Sequence, residues 1–500
     1  MFCDIGQNFF FTRAGDKNML NFLKVFALSI VFLTGTVNAS DINIKNIEKI
    51  RKSIVSINSR VPVSAYKNPG SWIGTGFLVD GKNGLLVTNN HVVGRASIGT
   101  YFATFHNGQQ AEAKLVYYDM YADFAIMRVD SAELPVDFEI VEFTDDAPKL
   151  GAKVFIVGNT EGQGFSFHDG YLSDLFEISG EMPQGSYVIN MNSTGGASGS
   201  PILNADNKAI GVLYGGGKTH SLALKGAYIQ HVLKELNSDR EFPNRKHIGI
   251  ITQLTSLDKA VKHRSFPKNE MDKYLKDFPD ARNRAIIVRS TLPGGTAESL
   301  IKPGDIIWQV DGKQIGADLC MFDLLLSQTK NDKAIFTIFR DGKKIEQEIA
   351  LYDLNNNKIS RMLDFAGGLF FQADDYISAK AGVPLGSVVL ANVQTGSSFS
   401  SIPEMFVQDY KNLYRIQIKT FNGDTIKSLD DLIFSMNKAI KQKYINIEYQ
   451  NYLPYSANFG GDWISAQEHL MQDITFDSID NKPRVLKFDN VKSEWLPEEM

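Results

Sequence analysis

Three short strings carry side chains able to do nucleophilic chemistry, and they stand in the order His, Asp, Ser. The first is Gly74-Thr75-Gly76-Phe77-Leu78-Val79 followed by Leu86-Val87-Thr88-Asn89-Asn90-His91-Val92-Val93. The second is Asp119-Met120-Tyr121-Ala122-Asp123-Phe124-Ala125-Ile126-Met127-Arg128-Val129, and the third is Asn192-Ser193-Thr194-Gly195-Gly196-Ala197-Ser198-Gly199-Ser200-Pro201. A serine hydroxyl is a poor nucleophile at neutral pH. It needs a base within hydrogen-bond reach, and the base needs an acceptor that fixes its tautomer. The spacing assigns these roles to Ser198, His91 and Asp123. Asp119 competes locally for the third role, but Asp123 directly precedes the apolar run Phe124–Val129 and so sits at a strand end. Each string alone is weak, since glycine-rich loops and packed histidines are common. The ordered set, each member at a strand end, carries the reading.

Such a set must be positioned by a rigid frame. From Ser53 to about Tyr214 the chain reads as short β segments broken by Gly, Asn and Asp, such as 76–79, 84–88, 124–129, 154–157 and 210–214. Many short strands without long helical patterns between them predict a barrel or sandwich. Ile44, Ile47 and Ile50 at helical spacing predict a short helix before the first strand. Residues 222–237 (LALKGAYIQHVLKELN) read as a helix closing this region, and polar 237–244 with Pro243 reads as a linker. The chymotrypsin-type double barrel presents its triad in this chain order. In that geometry glycines flanking the serine allow a sharp turn. The oxyanion site then falls on Gly196, Ala197 and Ser198, with the Gly196 and Ser198 N–H groups converging on the developing charge. One such donor is worth about 10²–10³ in rate.

At 500 residues the chain has room for three or four domains. With 43% hydrophobic and 22% charged residues its composition is that of a globular protein. A net charge of −5 argues against a nucleic-acid surface, which needs basic excess. Two cysteines, Cys3 and Cys320, allow neither a disulfide framework nor a Cys-rich zinc site. Lys24, the apolar run Val25–Val37 and Val37-Asn38-Ala39 before Ser40 form a signal-peptide pattern. At 13 residues the run is short of the roughly 20 a spanning helix needs. Met19 begins a conventional leader, which makes 1–18 an upstream mis-start. Removing 1–39 takes the net charge to −6 and leaves Cys320 alone. The expected location is the periplasm or the medium.

Two later segments resemble each other. KHIGIITQ with PGGTAESLIKPGDIIWQVDGKQI lies in 246–352, and AGGLFFQ with YRIQIKTFNGDTIKSLDDL lies in 366–451. Each opens on a glycine-containing apolar strand and later has a strand, a turn (Asp311-Gly312, Asn422-Gly423) and a helix. The segment DLNNNK at 353–358 separates them, and the insertion 255–283 lengthens the first.

The region 54–235 resembles the HtrA/Deg serine proteases. LVTNNHVV matches their histidine motif, DMYADFAIMRV their aspartate motif, and VFIVGNTEGQGFSFHDGYLSDL (154–175) their stretch before the active serine. The serine motif departs: Thr194-Gly195-Gly196-Ala197-Ser198-Gly199-Ser200-Pro201, with Ile210–Gly216, is closer to the glutamyl endopeptidases of the same fold. Those enzymes use a histidine where Leu213 stands, so a cleft of Asn192, Leu213, Tyr214 and Gly215 is expected to take a small or medium apolar side chain, with substrate backbone pairing beside 213–215. The later segments resemble PDZ domains. Their carboxylate-binding loops would be Ile248-Gly249-Ile250 and Gly368-Leu369-Phe370, which would bind peptide C-termini by strand addition.

The fold expected is mainly β: a chymotrypsin-like double β-barrel (40–240) followed by two α+β PDZ-like domains (245–353 and 360–452) and a C-terminal tail (453–500). The resemblance implies unfolded or damaged envelope proteins as substrates and a trimer-based homo-oligomer; no cofactor is expected, and the sequence has no HExxH, CxxC or carboxylate cluster with ligand spacing for a catalytic metal. The competing readings are a chaperone or peptide-binding protein with a latent protease domain, prompted by Gly195 and Ala197, and a secreted degradative protease. Gly215-Gly216-Gly217-Lys218-Thr219 is not a phosphate loop, because Val212 stands where that motif needs glycine.

Overall fold

Apolar β-branched runs and tight turns organise the described residues mainly into antiparallel sheets. The computed structural model describes residues 44–499 apart from 65–68, 95–96, 237–242, 403–415, 456–463 and 476–481. The leader expected over 1–39 and most of the linker lie outside the described residues.

Helix α1 (Ile44–Arg51) precedes a seven-stranded sheet, as the isoleucine spacing predicts. Its strands are β1 (Ile54–Ser64), β2 (Gly70–Asp80), β3 (Leu85–Thr88), β4 (Ser97–Thr104), β5 (Gln110–Glu112), β6 (Lys114–Tyr118) and β7 (Ala125–Arg128), in the order β5-β4-β1-β2-β3-β7-β6. The second half is β8 (Lys153–Gly158), β9 (Ser166–Ser179), β10 (Gln184–Asn190), β11 (Pro201–Leu203), β12 (Ala209–Gly216) and β13 (Ser221–Lys225). These close into a six-stranded barrel, β10-β13-β12-β11-β8-β9. Helix α2 (Gly226–Leu236) follows. The helix expected from 222 starts later because Ser221–Lys225 pairs with β10 and β12.

The first PDZ-like unit contains β14 (Lys246–His247), β15 (Ile250–Ser256), α3 (Leu257–Arg264), α4 (Lys268–Asp277), β16 (Arg284–Thr291), β17 (Ile306–Val310), β18 (Lys313–Gln314), α5 (Leu319–Gln328), β19 (Lys333–Arg340), β20 (Lys343–Ala350) and β21 (Tyr352–Asp353). Helices α3 and α4 are the content of the 255–283 insertion. The second unit contains β22 (Arg361–Phe365), β23 (Gly368–Gln372), α6 (Asp375–Ala381), β24 (Val388–Val393), β25 (Ile416–Phe421), β26 (Asp424–Thr425), α7 (Leu429–Ala439), β27 (Tyr444–Tyr455), β28 (Ile464–Thr475), β29 (Arg484–Asp489) and β30 (Glu494–Pro497). Asp311-Gly312 and Asn422-Gly423 both have positive φ at the two central positions, between Val310↔Lys313 and Phe421↔Asp424. They are the two-residue turns that twisted hairpins favour.

The boundary expected at 452 falls inside a strand. Residues 453–500 are not a separate tail: β28 pairs with β27 along its length, and β29 adds to β22 on the sheet's other side. The resulting order is β28-β27-β25-β24-β23-β22-β29-β30.

Both PDZ-like units pack on the protease halves. One continuous apolar cluster joins Val55, Leu86 and Met127 of the seven-stranded sheet to Phe371, Ile377 and Val389 of the second unit. Trp495 Nε1 donates to Ser97 O at 3.0 Å, and Tyr376 OH to Glu181 at 2.6 Å. The first unit meets the closed barrel and α2 through Tyr228–Asp323 (2.6 Å), Lys225–Asp318 (2.8 Å) and the paired contacts of Arg284 with Asp174 (2.8 and 3.0 Å).

His247 is buried at this junction, its ring 4.1 Å from that of Tyr121. Its Nδ1 accepts the Gly249 N–H at 3.0 Å, so the imidazole is held neutral. Burial, reinforced by the Arg245 charge against a smaller opposing effect of Asp119, lowers its pKa from 6.5 to about 3. Below pH 6.5 the unfolded chain takes up a proton that the folded chain refuses, so this residue lowers stability as the pH falls, by roughly 1.4 kcal/mol per pH unit. Asp323, raised by burial to about 7, acts in the opposite sense over the same range. Comparison with His247→Phe isolates the histidine: in urea unfolding at pH 7.5 and 5.5, the native chain should lose stability relative to the variant by about 1–1.5 kcal/mol. Parallel pH profiles would show that His247 protonates without penalty.

Candidate active site

The register of β3 against β7 sets the first half of the site. Thr88 lies opposite Ala125, so the chain leaving β3 and the chain entering β7 emerge side by side. They carry His91 and Asp123. Asp123 Oδ2 is 2.5 Å from His91 Nδ1, and its Oδ1 accepts the His91 backbone N–H at 2.9 Å. The carboxylate thus grips both ring and backbone of one residue and sets the Nδ1-protonated tautomer, leaving Nε2 as the basic nitrogen. Asp119, the competing carboxylate, is buried elsewhere: it is paired with Arg245 and accepts the N–H groups of Tyr121 (2.9 Å) and Ala122 (2.8 Å).

Neighbours that sequence reasoning missed hold this pair. The Asn89 amide donates to Asp123 O at 2.7 Å, and the Asn90 amide to Asp119 O at 3.0 Å. Gln184 Oε1 accepts the Asp123 N–H at 2.5 Å. The asparagines adjoin the histidine motif and were within reach of sequence reading. Gln184, on the other half, has no local signal.

Ser198 is on the loop between β10 and β11. Its carbonyl accepts the Thr75 N–H at 2.8 Å, and Thr75 O in turn accepts the Thr88 hydroxyl at 2.6 Å. The serine is therefore tied across the seam to the strand that ends just before His91. Two consecutive turns shape the loop. Ala197 N–H donates to Thr194 O (3.3 Å) with Gly196 at φ +93°, and Ser200 N–H donates to Ala197 O (3.0 Å) with Gly199 at φ +92°. A hydrogen-bonded turn with positive φ only at its third residue is type II, which calls for glycine there. A Cβ would also collide, 2.2 Å from Asn159 O at Gly196 and 1.9 Å from Thr75 O at Gly199.

This arrangement corrects one assignment. Ala197 does not serve the oxyanion, because its N–H closes the first turn. The Gly196 and Ser198 N–H groups have no acceptor among the described residues. Two uncommitted donors flanking the nucleophile are what a tetrahedral oxyanion needs.

The cleft is also redrawn. Leu213 is 1% exposed and packs in the barrel core with Val154, Ile156 and Ala223, so its side chain lines no pocket. Tyr214 is buried, its hydroxyl 2.9 Å from that of Ser186, and burial raises its pKa. Asn192 is exposed, and Gly215 is half-buried with open space where a Cβ would lie. Beyond Val212, β12 outruns β11, leaving an edge at Gly215 for a substrate strand. Ser193, unnoticed in the sequence, accepts from Ser221 at 2.9 Å next to Asn192.

Neither PDZ-like loop is presented to a peptide. Ile248, Gly249 and Ile250 are buried. The Gly249 N–H is committed to His247 and its carbonyl to Leu292 N–H. Ile178 of β9 packs against the cluster that holds Ile248 and Ile250, so the protease barrel covers this face. Gly368, Leu369 and Phe370 lie in β23, which is paired with β22 on one side and β24 on the other. Strand addition needs a free edge, and β23 has none.

Gly196→Ala should leave the protein folded and lower kcat on a peptide substrate by about 10²–10³, because the turn must flip to relieve the contact with Asn159. Wild-type kcat with an unchanged melting temperature would exclude an oxyanion role for this turn.

Comparison with known proteins agrees with this geometry. Residues 74–212 match the model of the trypsin-like peptidase domain. The uncharacterized protein RP187 of Rickettsia prowazekii is 46% identical over 184 residues, covering 37% of this chain and 95% of that protein. The pro-apoptotic serine protease NMA111 of Debaryomyces hansenii is 28% identical over 423 residues, covering 81% of this chain and 41% of its own length. The chain thus spans about two fifths of such fungal relatives. Among solved structures, the HtrA-type protease AlgW with tripeptide aligns at 18% identity and a TM-score of 0.45, over 61% of this chain and 95% of that one. With residues 74–212 matched and the serine protease relatives running on through the PDZ-like region, this chain carries a trypsin-like serine peptidase domain and belongs to one family with RP187.

Proposed function

We propose that the protein is an exported serine endopeptidase that cuts unfolded or damaged proteins of the cell envelope. One observation carries the catalytic part: the His91–Asp123 pair stands across the seam from a serine loop whose Gly196 and Ser198 N–H groups are uncommitted. His91 Nε2 takes the Ser198 proton as Oγ attacks the scissile carbonyl. Asp123 holds the ring and stabilises the imidazolium. The two N–H groups hold the oxyanion, and the same proton passes from Nε2 to the leaving amine as the intermediate collapses to the acyl-enzyme. Water then repeats the sequence and releases the acid.

Export rests on the leader pattern over 24–39, and the substrate class on the family resemblance together with the open strand edge at Gly215, which suits an extended chain rather than a folded one. Assembly into trimers follows from the resemblance alone. A latent protease acting as a chaperone would need the Gly195–Gly196 peptide turned over, and the type II turn favours the enzyme.

Residues 40–500 should digest casein and label at Ser198 with a fluorophosphonate, while Ser198→Ala should lose about 10⁴-fold or more in rate. Equal digestion by the two proteins would reject Ser198 as the nucleophile. Cell fractionation should find a mature chain starting at Ser40 outside the cytoplasm, and a full-length cytoplasmic product would reject export.

A further inference from the structure

Behind the catalytic pair lies a charge from outside the protease domain. Arg245, on the segment entering the first PDZ-like unit, is 2% exposed, and Asp119 is 1% exposed. Arg245 Nε is 2.5 Å from Asp119 Oδ2 and Nη2 is 3.3 Å from Oδ1. The same Oδ1 accepts the Tyr121 and Ala122 N–H groups, which shapes the turn that delivers Asp123. Asp119 N–H donates to Phe124 O at 3.0 Å, and Asp119 O accepts from Asn90, the residue before His91. Asp119 is therefore bonded to both sides of the catalytic pair, and the cation that compensates its buried charge belongs to the next domain.

We propose that the Asp119–Arg245 ion pair is a positioning device for Asp123, and that it makes the geometry of the catalytic pair conditional on docking of the first PDZ-like unit. Arg245 is itself held by that unit. Its carbonyl accepts Leu354 N–H at 2.9 Å and Nη1 donates to Ser327 of α5 at 3.4 Å, while its guanidinium lies over the ring of Tyr228, in α2 of the protease side, at 5.4 Å. If the unit lifts away, Asp119 loses the cation in contact with it and is left as a buried anion held by weaker partners. It must then protonate or turn to water, and in either case the Tyr121 and Ala122 N–H groups lose their acceptor. The loop relaxes, Asp123 shifts against His91, and the chemical step slows while the substrate edge at Gly215 is untouched. A displacement of about 1 Å at such a group is worth about 10²-fold.

The inference rests on the serine-protease reading, and fluorophosphonate labelling of Ser198 separates the two. If the wild-type chain does not label, the protease reading fails. If it labels, Arg245→Gln should label and turn over peptide about 10²-fold more slowly, with KM within about twofold. Arg245→Lys, which keeps the charge but not the two-point contact, should recover part of the loss. Should Arg245→Gln not fold, two neutralised doubles decide. Asp119→Asn/Arg245→Gln keeps an acceptor for the turn and should label at least tenfold faster than Asp119→Ala/Arg245→Gln. Wild-type labelling by Arg245→Gln, or equal rates for the two doubles, would overturn the proposal.

Discussion

The Thr75 hydroxyl sits where the two protease halves meet, and the catalytic arrangement depends on what it joins. It donates to Gly196 O at 2.8 Å and accepts both the Asn159 N–H at 3.0 Å and the Asn159 side-chain amide at 3.1 Å. Thr75 N–H donates to Ser198 O, Glu161 N–H donates to Gly195 O at 2.8 Å, and the Asn159 amide also reaches Val55 O. One threonine and one asparagine thereby clamp the nucleophile loop of the barrel onto the sheet that carries His91 and Asp123. Thr75 and Asn159 are buried, so a broken bond at either side chain leaves an unsatisfied polar group, at about 1–3 kcal/mol each. That penalty keeps the two halves in one register, which a purely apolar seam would not enforce.

A second polar layer lies deeper, among Asp119, Arg245, Asp323, Tyr228 and Lys358. Lys358 lies 3.9 Å over the Tyr117 ring, and its burial lowers its pKa to about 7. Buried charges of this kind contribute little net stability, because desolvation offsets most of the attraction. Their effect is positional: Asp119 is held by Arg245 and felt by Lys358, and both cations arrive from other segments. The apolar cluster running from the seven-stranded sheet into the second PDZ-like unit supplies the cohesion, and the polar layer selects one docking geometry. The PDZ-like units are thus packed against the protease halves through both layers. Strand β23 is closed on both edges, and the Ile248–Ile250 loop is spent on internal bonds.

Much of this was legible locally. The turns at Asp311-Gly312 and Asn422-Gly423, the short helix over Ile44, Ile47 and Ile50, and the preference for Asp123 over Asp119 all follow from neighbours within a few residues. The failures share a cause. Leu213 reads as a cleft residue until the closed barrel turns its side chain inward. The stretch 222–225 reads as helix because its apolar residues suit one, and pairing on both sides makes it a strand. Ala197 sits among the oxyanion residues by position, yet its N–H is taken by a turn that only the backbone reveals. Gln184 carries no motif at all, since its role exists only once β10 passes Asp123.

The sequence by itself determined the identities and order of the reacting groups, the glycines their turns require, and the mainly β architecture. Those properties are carried by side-chain chemistry and by periodicity over a few residues. Only the tertiary structure decided which donors stay free beside Ser198, which strand edges remain open, and which domain supplies the countercharge to Asp119. Each of those outcomes turns on a partner that is distant in the chain, and hydrogen bonds and buried charges are satisfied in space.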